Sequence, residues 1–493
     1  MKWLWLVGVF LILAVVSLPL HGADTSLDKI DAFTIEKFGS GRTTGILRPK
    51  HLEGMREKFN SNPTYRRMQN AVTVTKVSEL ALNRAIVTAT DDSFSHKLDD
   101  WAATNQKRSG RCWMFAGLNL LRVGAMRKMN LKDFEFSQSH IFFCDKLERA
   151  NYFLEAIIDT ADQPDGDRVV DFLLDNSLSD GGQWDMFVNL VRKYGLVPKS
   201  VMPESESSSN SFLMNRLLRT KLHEGAKHLR NLHNSGATEQ QLQAAKHELL
   251  TVIYRILSIH MGTPPEHFDW QWRDKDNEFH RDGTLTPQQF AEKYLTLDLD
   301  EYVCLVHDPR PTSPPDRTFT VAYLGNVVGG RPVAYLNVSV ELMKEIAMRT
   351  IIEGEPVWFG CDVAKQMSRD LGFLDSKLFD YEGIYDTNFA LNKAERLIYH
   401  QTRMTHAMLF TGVDVVDDKP RRWRVENSWG DETGKKGFFI MNDSWFGEFM
   451  FEVVVKKSYL PEKQQKALEL KPIVLPPWDP MGSLAYQDAL LQD

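Results

Sequence analysis

Three short segments, spread over most of a 493-residue chain, constrain what it can fold into. They are Gln106-Lys-Arg-Ser-Gly-Arg-Cys112-Trp113, Thr405-His406-Ala407 and Glu426-Asn427-Ser428-Trp429-Gly430. A cysteine that opens an apolar helical stretch, a distant histidine and then an asparagine occur in the order used by thiol hydrolases that cut peptide bonds. For that chemistry, a helix start in the first half of the chain must meet residues carried by the last quarter. Phe115, Leu118 and Leu121 follow Cys112 at helical spacing, and Gly110 allows the tight turn before it.

The residue types suit the task. A free thiol has a pKa near 8.5, and a helix N-terminus with a neighbouring imidazolium lowers it. His406 is the candidate partner, first as base and then as acid toward the leaving amine. Asn427 offers a side-chain carbonyl to orient that ring. Gln106 and the Cys112 main-chain N–H are candidate oxyanion donors, each worth about 3 kcal/mol in comparable hydrolases. Taken singly, Cys112 reads as a small buried hydrophobe, His406 as a core histidine and Asn427 as a turn residue. Their conjunction is what carries the reading.

Composition narrows the classes. Lys and Arg number 59 against 66 Asp and Glu, a net charge of -7, which gives no global argument for nucleic acid. With 12 Trp and 28 Phe, a sizeable core is expected. There are four cysteines, Cys112, Cys144, Cys304 and Cys361; if Cys112 stays free, at most one disulfide forms. No run of His, Cys, Asp and Glu has metal-ligand spacing, so neither metal nor cofactor is expected. Lys2 precedes an apolar stretch from Trp3 to Leu20, followed by His21-Gly22-Ala23. It reads as a secretory signal peptide cut near Gly22 or Ala23, with a retained membrane anchor as the alternative. This predicts a secreted or lysosome-like location, with the cytoplasm as the fallback if the leader is unused. Asn337-Val-Ser339 and Asn442-Asp-Ser444 match the glycosylation sequon.

Periodicity predicts a helix-rich first part, a helical insertion and a strand-rich remainder. Helices are expected over 137–151 and 184–194, with Asp180-Gly181-Gly182-Gln183 as the turn before the second. Glu204–Asn210 reads as an exposed loop where the insertion begins. Thr238 with Gln241, and Thr286 with Pro287 and Gln289, are helix starts with capping boxes. Between them, Phe268-Asp-Trp270-Gln-Trp272 alternates as a strand does. Strands are expected at Phe319–Leu324, Val333–Val338, Pro356–Gly360, Met408–Val413, Trp423–Val425 and Gly437–Met441, with one helix over Glu341–Arg349. The expected division is 1–23 leader, 24–203 helix-rich half with an N-terminal arm, 204–302 insertion, 303–470 strand-rich half and 471–493 C-terminal arm.

The chain resembles the bleomycin hydrolase and bacterial aminopeptidase C branch of the papain-like cysteine peptidases. The resemblance rests on Gln106–Phe115, Phe142–Phe153, Asp180–Gln183, Tyr194–Pro198, Trp358–Val363, Asn392–Arg396, Met404–Ala407, Arg424–Gly430 and the tail Leu475-Pro-Pro-Trp-Asp-Pro-Met-Gly482. It implies an α+β papain-like fold with a large, mainly helical insertion and a C-terminal arm that enters the cleft. It implies Cys112 as nucleophile, His406 as base and acid, Asn427 as orienting residue and Gln106 as oxyanion donor. Gly181 and Gly182 would contact an extended substrate, and the carboxylate of an arm ending near Ala485 would receive the substrate's free amine. It further implies aminopeptidase action on peptides, within a homohexameric ring. This chain continues through Tyr486–Asp493, so trimming near Ala485 is expected, or else an endopeptidase cleft. A nonhydrolytic ring that binds nucleic acid is the competing class.

Overall fold

The computed structural model describes residues 47–98 and 101–485. The proposed leader and residues 486–493 lie outside the described residues. The chain divides into two units between Leu80 and Ala81. In the first, helices α1 (Pro49–Ser61) and α2 (Pro63–Val72) each begin on a proline, whose missing N–H costs nothing there. Asn62 separates them and caps α2 by accepting from the Thr64 N–H at 2.9 Å.

The second unit starts its first long helix at the candidate nucleophile. Helix α3 (Cys112–Met129) is buried on nearly every face, as an apolar helix at the centre of a fold must be. Around it pack α4 (Gln138–Asp159), capped by Ser137, and α5 (Trp184–Tyr194). The chain continues as α6 (Phe212–Asn234), α7 (Glu239–Met261), the hairpin of β1 (Phe268–Arg273) with β2 (Phe279–Leu285), and α8 (Pro287–Tyr294). Both predicted capping boxes are present, Thr238 with Gln241 and Thr286 with Gln289.

Strands dominate the rest of the chain. They are β3 (Tyr302–Val306), β4 (Arg317–Val321), β5 (Tyr335–Asn337), β6 (Val357–Cys361), β7 (His406–Val416), β8 (Lys419–Glu426), β9 (Phe438–Asn442), β10 (Met450–Lys456) and β11 (Ile473–Leu475). They join one sheet in the order β11-β4-β5-β3-β10-β6-β7-β8-β9, continued by the short strands Phe373–Leu374 and Met367–Ser368. The central strands β10, β6, β7 and β8 run antiparallel to their neighbours. Strand β6 is buried along its whole length, so it reads as an apolar run and not as an alternation. Helix α9 (Val340–Ile352) packs in the core that includes Phe359, Phe410 and Trp423, where the Phe359 and Phe410 rings stack at 4.0 Å. A second core joins α3 to α8, with Trp113, Trp184 and Trp358 at its centre.

The two layers are therefore helices around α3 and a sheet built on β7, as the α+β expectation required. One local expectation fails. Glu204–Asn210 is no exposed loop: Ser208 is fully buried, Glu206–Ser209 make one helical turn, and the Glu204 carboxylate takes both prongs of the Arg111 guanidinium at 3.0 and 2.8 Å. Arg111 is wholly buried beside Cys112, and a buried guanidinium needs a counter-ion. That need turned a Ser/Glu-rich stretch inward. Among the described residues all four cysteines are free and buried, and no helix is long and apolar enough to cross a membrane.

Candidate active site

Cys112 is the first residue of α3, where N–H groups have no partner within the helix. Its sulfur is fully buried. The main-chain N–H groups of Ala407, Trp113 and Cys112 favour the thiolate there, but burial outweighs them and pushes the thiol up to about 12. The S–H donates to the main-chain carbonyl of Ala485 at 3.4 Å. A thiolate could not make that contact, so the arm as seated holds the sulfur protonated.

His406 opens β7 and lies opposite Cys361 of β6. Its Nε2 is 2.9 Å from Asn427 Oδ1. An amide oxygen only accepts, so Nε2 carries the proton and Nδ1 is left as a proton acceptor. Nδ1 has no hydrogen-bond partner in the structure, which leaves it available to a thiol proton. Burial pushes the imidazole down to about 4, against the pull of Asn427. The Trp429 ring covers the histidine at 4.9 Å. Asn427 follows β8 directly and is held by its own N–H on the Gly437 carbonyl at 3.1 Å.

Gln106 is fixed at three points. Its main-chain N–H donates to the Ser428 carbonyl at 2.8 Å, its Oε1 accepts from Ser428 Oγ at 2.6 Å, and one Nε2 proton goes to the Ser109 carbonyl at 2.6 Å. The other Nε2 proton is free for an oxyanion. Ser428 thus ties the glutamine segment to the asparagine segment. Glu426 does the same for α3: its carboxylate accepts from Trp101 Nε1, Asn119 Nδ2 and the Arg122 guanidinium at 2.6, 2.9 and 2.7 Å. Neither residue was singled out by sequence reasoning, although each flanks Asn427; a buried carboxylate in a strand next to a candidate residue is the signal that could have found Glu426.

Gly181 and Gly182 form the opposite wall. The Gly181 carbonyl accepts from Arg149, and the Gly182 carbonyl accepts from the Ala485 N–H at 3.1 Å in an antiparallel bridge. A Cβ on Gly182 would sit 2.4 Å from the Trp113 indole, so only glycine fits between the indole and the arm. Asp180 is the hub behind this wall. Its carboxylate accepts from the Gly110 N–H at 3.2 Å, from Asn215 at 2.6 Å, from Ser211 and from Lys146, while its carbonyl accepts from Trp113 Nε1 at 2.7 Å. The arm also hangs on Gln183, whose Nε2 donates to the Ser483 carbonyl at 2.7 Å. Asp362, which the sequence left without a role, is buried and accepts from Thr402 and Thr405 at 2.7 and 3.3 Å, shaping the approach to His406. Cys361 lies buried within β6.

The structure brings every predicted site residue into one locality. Cys112 and Gln106 come from the helical layer, His406 and Asn427 from the sheet, Gly181 and Gly182 from the turn before α5, and Ala485 from the arm. A cysteine at a helix start, held beside the main chain of the strand that opens with a histidine backed by asparagine, is the arrangement of a thiol peptidase of the papain type. Comparison with known proteins makes this specific: the chain belongs to the Peptidase C1-like family, whose model matches residues 46–482. It is 43% identical to aminopeptidase C of Lactobacillus delbrueckii subsp. lactis over 438 residues, 88% of this chain and 98% of that one. It is 42% identical to human bleomycin hydrolase over 449 residues, 89% of this chain and 99% of that one. Among solved structures, PepW of Lactobacillus rhamnosis HN001 superimposes with a TM-score of 0.88 at 45% identity, covering 90% of this chain and all of that one.

Proposed function

We propose that the protein is a cysteine aminopeptidase that removes N-terminal residues from peptides through a thioacyl intermediate. The observation that carries this reading is the chain's own strand in the cleft, with Ala485 paired to Gly182 and its carbonyl on the Cys112 sulfur. An arm seated there fills the side of the cleft that an endopeptidase leaves open for the substrate. A substrate that takes the place of the Ala485 carbonyl at the sulfur then meets the arm immediately on its N-terminal side, which favours a free terminal residue there.

The proposed steps use the groups gathered at the site. A substrate carbonyl displaces the Ala485 carbonyl from the sulfur. The thiol proton passes to His406 Nδ1, and the sulfur adds to the carbonyl carbon. Gln106 Nε2 and the Cys112 N–H hold the oxygen as it gains charge. His406 then gives its proton to the departing amine as the C–N bond breaks. Water, deprotonated by the same nitrogen, releases the acyl group and restores the thiol. Asn427 keeps Nε2 protonated throughout, so that Nδ1 alone shuttles the proton.

Ala485 is followed by Tyr486–Asp493, so its carbonyl belongs to an amide until that bond is cut. Trimming after Ala485 would create the carboxylate that pairs with a substrate ammonium. The division into leader, catalytic halves, insertion and arm, the homohexameric ring, and a secretory route directed by residues 1–23 belong to the same proposal. Turnover of an unblocked aminoacyl amide, compared with its N-acetylated form, tests the activity. An exclusive aminopeptidase cuts the first and spares the second, and equal turnover of both would make the protein an endopeptidase. Sequencing both termini of the active protein reads leader removal and trimming directly.

A further inference from the structure

The C-terminal arm is seated by side chains remote from the reacting atoms. Arg310 grips two carboxylates at once: Nε and Nη2 reach Asp308 at 3.0 and 2.7 Å, while Nη1 and Nη2 reach Asp479 at 3.0 and 2.9 Å. Both pairs are nearly enclosed, with 9% of the arginine side chain and 10% of Asp479 exposed, so water screens them little. Asp308 cannot drift. Its N–H donates to Asn337 Oδ1 at 2.9 Å, its carbonyl accepts from Asn337 Nδ2 at 3.0 Å, and Ser313 Oγ donates to its carboxylate at 2.6 Å.

Asp479 is the point from which the last stretch of the arm is aimed. It caps the short helical turn Pro480–Gly482 through the Met481 N–H at 2.9 Å. Beyond it, the Met481 carbonyl accepts from Tyr335 Oη at 3.0 Å and the Ser483 carbonyl from Gln183. Just before it, the Arg168 guanidinium lies 3.7 Å over the Trp478 ring. A cavity of about 660 Å³ runs beside this stretch, bounded by Trp478, Gly482 and Leu484 of the arm and by Asp362, Arg403 and Thr405 near the histidine. An arm released from its anchor therefore has space to move into, and a longer substrate has space to replace it.

We propose that Arg310 and Asp479 are positioning residues that fix how far the arm reaches toward Cys112, and thereby set the choice between removing one residue and cutting within a peptide. The proposal rests on the aminopeptidase reading. An ammonium contact made equally in ground and transition states is felt in KM.

Asp479→Asn is the clean variant. It keeps an oxygen to cap Met481, and it leaves Arg310 neutralised by Asp308. Arg310→Lys is the second, since it keeps the charge and loses the fork. Both are made in the full chain and compared with the parent on an unblocked and an N-acetylated peptide amide, with the thermal midpoint recorded alongside. The expected result is a raised KM for the unblocked substrate at nearly constant kcat, and at least a tenfold rise in the ratio of blocked to unblocked turnover. A discriminating parent whose two variants keep its ratio and its KM overturns this proposal alone. A parent that cuts both substrates equally overturns the aminopeptidase reading, and this proposal with it.

Discussion

Replacing Gly182 by alanine tests the site where packing and binding share a wall. The added Cβ would lie 2.4, 2.5 and 2.7 Å from Cε2, Cδ2 and Cζ2 of Trp113. Carbon atoms settle at about 3.5–4.0 Å, so the overlap is about 1 Å at each of three atoms. The indole has nowhere to go: it is fully buried, and its Nε1–H is committed to the Asp180 carbonyl at 2.7 Å. Hence the Gly182 backbone must move outward, toward Ala485. Overpacking of this kind costs about 1–3 kcal/mol of stability. A displacement of about 1 Å in the wall that aligns the substrate should cost roughly a hundredfold in kcat/KM. The assay is steady-state turnover of an unblocked aminoacyl amide, with the thermal midpoint measured on the same preparation. A variant with parental kcat/KM and midpoint would refute the claim that this glycine is required for close approach.

Further outcomes follow from single contacts. Asn427→Ala removes the acceptor that keeps His406 Nε2 protonated, and kcat should fall at least roughly tenfold; the midpoint should drop as well, because the same oxygen accepts from the buried Ser428 N–H at 2.8 Å. Glu452 is buried in β10 with an unpartnered oxygen, and burial pushes its carboxyl up to about 8, with Asp185 adding to the rise. The folded protein therefore keeps the proton while the unfolded chain loses it above pH 4.5, so stability falls as pH rises from 4.5 to about 8. Glu452→Gln should raise the midpoint at pH 8, by a free energy approaching about 1.4 kcal/mol per pH unit of that window, and leave it unchanged at pH 4. Asn337 lies in a sequon, yet its Nδ2 is spent on the carbonyls of Asp308 and Ser313 at 3.0 and 2.9 Å. Peptide mapping of folded protein made in a glycosylating host should find Asn337 unmodified.

Much of the fold could be read locally. The helix over Trp184–Tyr194 runs between the predicted ends, because its start follows a Gly-Gly turn and its stop is a glycine. Both capping boxes appear where their Thr-x-x-Gln spacing puts them. What escaped depends on partners distant in the sequence. Helix α6 and strand β10 were not identified, the first for want of a clear start signal and the second because Phe451-Glu-Val-Val-Val455 carries a charge in its midst. That charge is tolerated only because Glu452 stays protonated in the core. Glu204 looked solvated until Arg111 supplied its reason for burial. For the candidate site, the residue types were legible in order, but the arm's seat was not. Arg310, Asp479, Tyr335 and Gln183 act together across the fold, and no spacing along the chain announces them.

Asp180 carries a wider implication. One carboxylate receives the turn that presents the nucleophile, a lysine from α4, and two side chains at the start of the insertion, Ser211 and Asn215. The helical segment that begins here, expected from the sequence to be an insertion, is therefore tied directly to the turn that carries Cys112. Excising it would take the Ser211 and Asn215 donors from the buried Asp180 carboxylate while Lys146 kept both of its acceptors, Ser179 and Asp180, so a shortened enzyme would need new neutral donors at the same spot.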